Sequence, residues 1–368
     1  MAHRVISADS HMTEPADLWV ERLDERFRDR APRVIQSRES GSHLFVAPGI
    51  RPFAVAGAFG SGRSGEELAA HMKKGYEAAR PSGWDPVERI KDQDVDGVAA
   101  EVLYTSNGMA LFGLDDAELQ RACFKVYNDW VSEFASHNPK RLHAIGLISL
   151  EDISTAVNEL ERCAKIGLKG AMIWGSAPSD RPYSSEIYDP FWQAASELEM
   201  PLSLHVVTGK EKGPAPGFRA MTAMYMNLIQ EVQRSLTTII FSGVLERFPR
   251  LKIVSAENDS GWLPHYMYRA DHAWDKFGKL GKRQIPNKPS DYMRRQLWVT
   301  FQDDPIGPAT WKFFGEDNYM WASDFPHTDS TWPNSLKVIE QDFAGVPEQV
   351  ANKIVNENAA KLYHIDLN

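Results

Sequence analysis

The sequence predicts an α/β protein built as a closed (β/α)8 TIM barrel. Three observations predict this fold: eight short apolar runs, helical patterns between most of them, and polar residues directly after several runs. Near-continuous apolar runs are typical of parallel strands buried on both faces. Eight strand–helix pairs favour a barrel, and the alternative is a doubly wound open sheet. We expect residues 1–368 to form one domain.

The predicted strands follow one another along the whole chain. They cover residues 5–8, 97–104, 143–150, 169–174, 202–207, 252–256, 297–301 and 319–322. The clearest helical pattern between them runs over 115–136. A second pattern begins at the N-cap candidate Asp152 and ends at Gly167, and a third opens at Asp189. This alternation of strand and helix is the pattern of a barrel.

One stretch interrupts the alternation, and it separates the first two strands at about residues 14–86. It contains a helix-like piece at 18–28, a possible hairpin at 44–55 and the glycine-rich run GAFGSGRSGEE. That run lacks the Gly-Lys-Ser/Thr ending of a phosphate-binding loop, so a flexible loop or lid is favoured. We expect the insertion to pack over one end of the barrel.

Composition narrows the class of protein. The net charge of −9 and the pI near 5.7 argue against a nucleic-acid partner. They also give no reason to expect that the protein binds an anionic membrane. The chain contains no apolar run of 18 residues and no signal-peptide pattern at its start. Cys123 and Cys163 are expected to be buried thiols in a reducing compartment. We therefore expect a cytoplasmic protein without a membrane partner.

Polar residues follow the predicted strands at the end where (β/α)8 barrels carry their chemistry. The candidates are Asp9 and His11, His205, Glu257 and Asp259, Asp303 and Asp304, and Asp324 and His327. Each has a structural alternative, because a single strand-end histidine commonly bonds to backbone, and a short polar motif can form a turn or a helix cap. Together they indicate a divalent cation, since buried carboxylates need a positive partner. Mixed histidine and aspartate ligands suit zinc, iron or manganese.

The chain resembles the amidohydrolase superfamily, in the branch related to aminocarboxymuconate-semialdehyde decarboxylase. The resemblance covers nearly the whole chain and is carried by the runs DSHMTEP, FSGVLERFPRLKIVSAENDSGWLP, WASDFPHTDSTWP and NAAKLY. It implies a (β/α)8 barrel with a catalytic divalent metal. Members hydrolyse C–N or other bonds, or remove carboxylate from aromatic and unsaturated acids.

The resemblance implies specific metal ligands. His11 matches the second histidine of the family's His-x-His motif, His205 matches the strand-five histidine, and Asp324 matches the strand-eight aspartate. Two residues depart from the pattern. Asp9 stands where many members have histidine, and Glu257 stands where decarboxylases place a proton-handling histidine.

These departures leave three functions open. The first is hydrolysis by a metal-activated water, with Asp324 or Glu257 as general base and acid and His327 orienting Asp324 or contacting substrate. The second is non-oxidative decarboxylation at the same metal. The third is a di-iron monooxygenase, because a second metal could be held by Asp9, Glu257 and further carboxylates, namely Glu14 and Asp303 or Asp304. Zinc is the first expectation for the metal, and the alternatives are manganese or iron, the latter as one ion or two. A metal-stabilised binding barrel without catalysis is the non-enzyme alternative.

The remaining candidates concern a small-molecule substrate. Tyr104, Asn107 and Trp174 lie near predicted strand ends and could line an aromatic pocket. His265 could lie at the surface or beside the ligands, and Arg269 could pair with a substrate carboxylate or with a neighbouring helix. The family resemblance also suggests a homodimer.

Overall fold

The barrel of the predicted fold is present. The computed structural model describes residues 4–39, 41–210, 221–280 and 285–366. The strands are β1 (Val5–His11), β2 (Arg33–Gln36), β3 (His43–Ala47), β4 (Ile50–Ala54), β5 (Val98–Tyr104), β6 (Leu142–Ala144), β7 (Gly146–Leu147), β8 (Ala171–Ile173), β9 (Leu202–His205), β10 (Ile253–Ala256), β11 (Leu297–Phe301) and β12 (Tyr319–Trp321). All of these except β2, β3 and β4 belong to the barrel and pair in parallel.

The third predicted strand is divided between two ladders. One ladder runs β1–β5–β6 and the other runs β7–β8–β9–β10–β11–β12. At the junction, Ile145 N donates to Leu103 O at 3.2 Å and Gly146 N donates to Gly170 O at 2.9 Å. Consecutive residues here bond to opposite sides, so this strand lies between β5 and β8 and joins the two ladders.

Backbone hydrogen bonds join the chain beyond β12 to β1. Asp324 N donates to Asp9 O at 3.0 Å, and His11 N donates to Phe325 O at 2.7 Å. These bonds connect the two ladders at the C-terminal ends of the strands. The closed barrel is confirmed and the open-sheet alternative is not supported. The same bonds place the ends of the first and last strands side by side.

Helices surround the strands and fill the connections. The α-helices are α1 (Leu18–Arg22), α2 (Gly65–His71), α3 (Pro86–Asp96), α4 (Ala117–Ser136), α5 (Ile153–Lys165), α6 (Asp189–Glu197), α7 (Met221–Phe241), α8 (Val244–Arg247), α9 (Leu263–Phe277), α10 (Pro289–Gln296), α11 (Ile306–Ala309), α12 (Trp311–Phe314), α13 (Ser335–Asp342), α14 (Glu348–Asn352) and α15 (Asn358–Tyr363). The predicted cap is present, since Asp152 accepts a hydrogen bond from Thr155 N at 2.8 Å. No helix in the described ranges is long and apolar enough to cross a bilayer.

The predicted insertion lies between β1 and α3. It contains α1, α2 and the antiparallel sheet β2–β3–β4, and β3 and β4 form the expected hairpin. Its glycine-rich segment packs on the chain after β12: Ser61 N donates to Pro326 O at 3.0 Å and Thr328 N donates to Gly57 O at 3.2 Å. The insertion therefore covers one side of the barrel mouth, next to His327. That residues 1–368 form a single domain, with this insertion at about residues 14–86, stays a prediction.

Candidate metal centre

The end of β1 brings two predicted ligands to the barrel mouth. Every residue of β1 is buried. The Asp9 carboxylate accepts a hydrogen bond from Thr300 Oγ1 at 2.9 Å. His11 Nδ1 donates to Thr105 O at 2.7 Å. These bonds hold both side chains in place and leave one further atom of each, Asp9 Oδ1 and His11 Nε2, without a hydrogen bond.

Three other strand ends complete the cluster. His205 ends β9, and its Nδ1 donates to Val206 O at 3.0 Å. Glu257 directly follows β10 and Asp324 follows β12, with positive φ angles of 52° and 54°. A left-handed backbone costs a non-glycine residue on the order of 1–3 kcal/mol and is concentrated at functional sites. The surrounding barrel therefore holds both carboxylates in strained positions.

The side-chain atoms of these five residues converge. His11 Nε2 lies 3.3 Å from Asp9 Oδ1, 3.3 Å from Glu257 Oε2 and 3.4 Å from Asp324 Oδ1. His205 Nε2 lies 3.2 Å from Glu257 Oε2 and 4.0 Å from Asp9 Oδ1. Four strand ends, those of β1, β9, β10 and β12, thus bring five ligand-type residues to a shared centre.

The converging atoms fit a divalent cation. They are buried and make no hydrogen bond: Asp9 Oδ1, His11 Nε2, His205 Nε2, Glu257 Oε2, and Asp324 Oδ1 and Oδ2. Each buried polar atom without a partner costs about 1–3 kcal/mol. A divalent cation would satisfy the whole group, because it binds carboxylate oxygen and neutral imidazole nitrogen. The Nδ1 bonds of both histidines are also typical of metal-bound imidazole, since they fix the tautomer that presents Nε2.

The electrostatics of the cluster also favour a cation. Burial lowers the pKa of His11, but the adjoining Asp9 and Glu257 carboxylates outweigh burial and raise this pKa well above its ordinary value. Burial raises the pKa of Asp324, and the charge of Glu257 raises it further. The carboxylates therefore draw positive charge to the centre.

His327 lies against the cluster as the predicted orienting residue. Its ring stacks on His11 with centroids 3.8 Å apart. Its Nδ1 lies 3.0 Å from Asp324 Oδ1, and its Nε2 lies 2.8 Å from the Ser106 hydroxyl. Burial and the neighbouring His11 lower the pKa of His327 well below its ordinary value. A neutral imidazole between a carboxyl group and a hydroxyl can hold or pass a proton.

The structure does not bring Glu14 to the centre. Its carboxylate accepts hydrogen bonds from the Thr105 hydroxyl and from the backbone N–H groups of Ser106, Asn107 and Gly108. These bonds hold the turn that follows β5. Glu14 is thus engaged in a capping interaction, in place of the second-metal role predicted from the sequence.

The two aspartates after β11 also lie apart from the converging atoms. Asp304 caps neighbouring loops, accepting hydrogen bonds from Ser260 N at 2.8 Å, Gly261 N at 2.5 Å and Ile306 N at 3.0 Å. Asp303 is exposed. Neither belongs to the metal-ligand groups formed by the described residues, so the geometry gives no support to the predicted second ion.

Two of the predicted substrate residues take other positions than expected. Tyr104 is fully buried, and its hydroxyl lies 2.9 Å from Ser203 Oγ and 3.2 Å from Tyr363 OH inside the barrel. Its ring packs 5.8 Å from that of His11. Tyr104 therefore supports the ligands from the barrel interior. Trp174 is likewise buried.

The other three substrate candidates differ in placement. Asn107 lies in the turn that Glu14 holds after β5, where its Nδ2 donates to Tyr76 OH at 3.1 Å and its Oδ1 has no hydrogen bond. His265 and Arg269 are exposed on α9, and neither lines the cavity at the centre. A helical repeat explains this, because residues 265 and 269 share a face of α9 that is turned to solvent.

A cavity of about 350 Å³ adjoins the centre, with Glu257 in its wall.

The prediction from the sequence missed several neighbours of the ligands, namely Thr105, Ser106, Thr300 and Asn258. Thr105 and Ser106 directly follow β5, so a strand-end search that included hydroxyl residues would have found them. Thr300 lies inside β11 and gave no signal.

Comparisons with known proteins agree with this architecture. The amidohydrolase family model (Amidohydro_2) matches residues 16–365. The gamma-resorcylate decarboxylase of Polaromonas sp. (strain JS666) is 25% identical over 277 residues, which cover 69% of this chain and 82% of the relative. The 2-amino-3-carboxymuconate-6-semialdehyde decarboxylase of Dictyostelium discoideum is 25% identical over 249 residues, covering 66% and 67%.

Solved structures share the fold. An amidohydrolase from Mycobacterium avium subsp. paratuberculosis K-10 aligns with a TM-score of 0.78 at 21% identity, covering 99% of this chain and 100% of that one. A dihydroxybenzoic acid decarboxylase from Polaromonas sp. JS666, with bound manganese and the inhibitor 2-nitroresorcinol, aligns with a TM-score of 0.67 at 19% identity, covering 98% and 97%. The resemblance inferred from the sequence is confirmed, and the chain belongs to the amidohydrolase family, in the branch that contains these decarboxylases.

Proposed function

We propose that this chain is a divalent metal-dependent decarboxylase that removes carboxylate from a small aromatic or unsaturated acid without an oxidant. The convergence of unpartnered ligand atoms at the C-terminal mouth of the barrel carries the proposal, because barrel enzymes act at that mouth. The matching relatives are decarboxylases, which favours a lyase over the hydrolase that we first expected from the sequence.

Asp9, His11, His205, Glu257 and Asp324 would hold the ion. Three carboxylates and two imidazoles form an oxygen-rich set, which suits manganese better than zinc. The manganese in the related Polaromonas structure supports the same choice. When bound, the ion would supply positive charge that anchors a substrate oxygen and stabilises negative charge as carbon dioxide leaves.

The chain's own residues would handle the proton. In decarboxylation the bond between carbon and the carboxylate breaks, its electron pair stays on the substrate carbon, and that carbon gains a proton. Glu257 occupies the position where the family resemblance implies a histidine. His327 is the alternative, since it lies 3.0 Å from Asp324 Oδ1 and 2.8 Å from Ser106 Oγ. We assign proton delivery to His327, with the Ser106 hydroxyl holding its ring and the Asp324 carboxyl beside it.

The test is carbon dioxide release by Mn²⁺-loaded protein from a panel of hydroxy- and aminobenzoic acids in D₂O. We expect one carbon dioxide per substrate and one deuterium at the carbon that carried the carboxylate. His327→Gln should lower kcat by about 10²-fold or more, whereas the exposed control His137→Gln should not change it. Consumption of dioxygen, or hydrolysis of amide or ester substrates without carbon dioxide release, would contradict the proposal.

A further inference from the structure

One turn of the chain contacts two different parts of the metal centre. It covers residues 105–108, directly after β5, and we call it the β5 turn. Thr105 O accepts the hydrogen bond from His11 Nδ1 at 2.7 Å, which fixes the imidazole that presents Nε2 to the ion. The hydroxyl of the next residue, Ser106, lies 2.8 Å from Nε2 of His327. Consecutive residues of the β5 turn therefore hold a metal ligand and the residue to which we assign proton delivery.

The conformation of the β5 turn is held by the side chain of Glu14, which is fully buried. Its two carboxylate oxygens accept four hydrogen bonds, from the Thr105 hydroxyl, Ser106 N at 3.1 Å, Asn107 N at 2.9 Å and Gly108 N at 3.3 Å. An ionised carboxylate accepts hydrogen bonds at both oxygens and donates none, so it matches four converging donors. Every residue of the turn is thus bonded to one side chain.

Further contacts fix Glu14 itself against the β5 turn. Tyr76 of the insertion donates from its hydroxyl to Glu14 O at 2.6 Å and accepts from Asn107 Nδ2 at 3.1 Å. Gly108 leaves the space that the Thr105 hydroxyl needs, because a Cβ at residue 108 would lie 2.1 Å from Thr105 Oγ1. The backbone and the side chain of Glu14 are therefore both tied to the turn.

We propose that Glu14 is a positioning residue for the metal centre. Through the β5 turn it orients His11 toward the ion and His327 toward the carbon that gains the proton, while its own carboxylate is taken up by the turn. The part that concerns His327 rests on the proposed function. The part that concerns His11 is a statement about metal binding, and it holds whatever reaction the centre performs.

Glu14→Gln tests the inference with little change of shape. Each carboxylate oxygen accepts from a backbone N–H, Oε1 from Ser106 and Oε2 from Asn107, so either orientation of the amide sets its NH₂ group against a backbone donor. The turn must then shift. We expect the Kd for Mn²⁺, measured by competition with a chelating dye, to rise by about 10-fold or more.

The kinetic expectation for Glu14→Gln is a change in kcat rather than in KM. At saturating Mn²⁺, kcat should fall by about 10- to 100-fold because His327 is displaced. KM should change little, since neither Glu14 nor any residue of the β5 turn is among the described residues that line the cavity. A loss of stability alone would not produce this division between the two constants.

Two other variants separate the contributions. Ser106→Ala removes the hydroxyl beside His327 and keeps the Thr105 carbonyl, so kcat should fall by about 10-fold or more while the Kd for Mn²⁺ is unchanged. Asp96→Ala removes another buried carboxylate, which accepts from Ser335 N at 3.0 Å and from its hydroxyl just before β5 begins, at the other end of that strand. It should lower the free energy of unfolding without changing Kd or kcat.

An unchanged Kd for Mn²⁺ in Glu14→Gln would overturn the inference. An equal rise in Asp96→Ala would also overturn it, because the effect would then follow from lower stability. If Glu14→Gln does not fold, Thr105→Val takes its place: it removes one donor to Glu14, keeps the carbonyl that holds His11, and should raise the Kd by about threefold or more. An unchanged Kd in Thr105→Val would be equally decisive against the inference. A raised Kd in protein that releases no carbon dioxide from any acid would refute only the proposed function.

Discussion

Glu257 is the residue that most distinguishes this centre. It follows β10 in a left-handed conformation, and its Oε2 lies 3.2 Å from His205 Nε2 and 3.3 Å from His11 Nε2. Burial raises its pKa, but the neighbouring His205 and His11 outweigh burial and place this pKa well below its ordinary value. Glu257 therefore brings a negative charge to the centre, where the resemblance implied a neutral or cationic histidine.

Removing that charge should weaken metal binding. Glu257→Gln keeps the shape of the side chain but loses the carboxylate, so we expect the Kd for Mn²⁺ to rise by about 10- to 100-fold. Competition with a chelating dye measures this change. Glu186, an exposed glutamate at the start of a short 3-10 helix, supplies the matched control, and Glu186→Gln should bind Mn²⁺ normally. An unchanged Kd in Glu257→Gln would remove Glu257 from the ligand set.

His143 gives a separate prediction about acid stability. Burial lowers the pKa of His143 to about 4, and its Nε2 donates to Lys140 O at 3.2 Å. The unfolded chain takes up this proton near the ordinary value of about 6.5, so stability is lost as pH falls from 6.5 toward 4. Between pH 7 and pH 5 we expect a loss of about 2 kcal/mol in the free energy of unfolding from this group. Denaturant titrations should show a smaller loss in His143→Gln, and an equal loss would refute the assignment.

At the scale of elements, α3 and β5 hold the ends of two other strands in place. Arg89 on α3 is fully buried and pairs with Glu101 on β5 at 2.7 Å. The same guanidinium donates to His11 O at 2.8 Å and to Phe325 O at 3.3 Å. One side chain thus connects the helix, the second barrel strand and the backbone on both sides of the metal centre.

Arg89→Met should be strongly destabilising. It leaves the buried Glu101 carboxylate without its charged partner and removes one donor each from His11 O and Phe325 O. Breaking a buried ion pair costs about 3–5 kcal/mol. Arg22→Met removes an exposed pair with Glu133 and should cost less than about 1 kcal/mol. Denaturant unfolding of both variants checks the difference. Similar losses in the two variants would show that Arg89 has no special role in joining these elements.

Helices and strands were predictable from the sequence where the residues that specify them are neighbours in the chain. The barrel strands are apolar runs, and the cap at Asp152 precedes a regular helix, so their positions could be predicted. The short break at Ile145 between β6 and β7 was not predictable, because no local pattern marks it. The role of Glu14 was also hidden, since its partners lie about ninety positions away along the chain.

For the whole molecule, barrel closure brings three of the predicted ligands together. His11, His205 and Asp324 are far apart in sequence, and only closure of the barrel brings their strand ends to one mouth. The insertion packs on the loop that carries His327, which no local pattern indicated. A homodimer and a cytoplasmic location stay predictions.

The central claim is a single divalent ion held by the five converging residues. The most direct test is elemental analysis of protein purified without added metal. The metal content is divided by the protein concentration to give the number of ions per chain. We predict about one ion per chain, nearly none in His205→Ala, and a normal content in the exposed control His137→Ala. Two ions per chain, or full metal content in His205→Ala, would contradict the account.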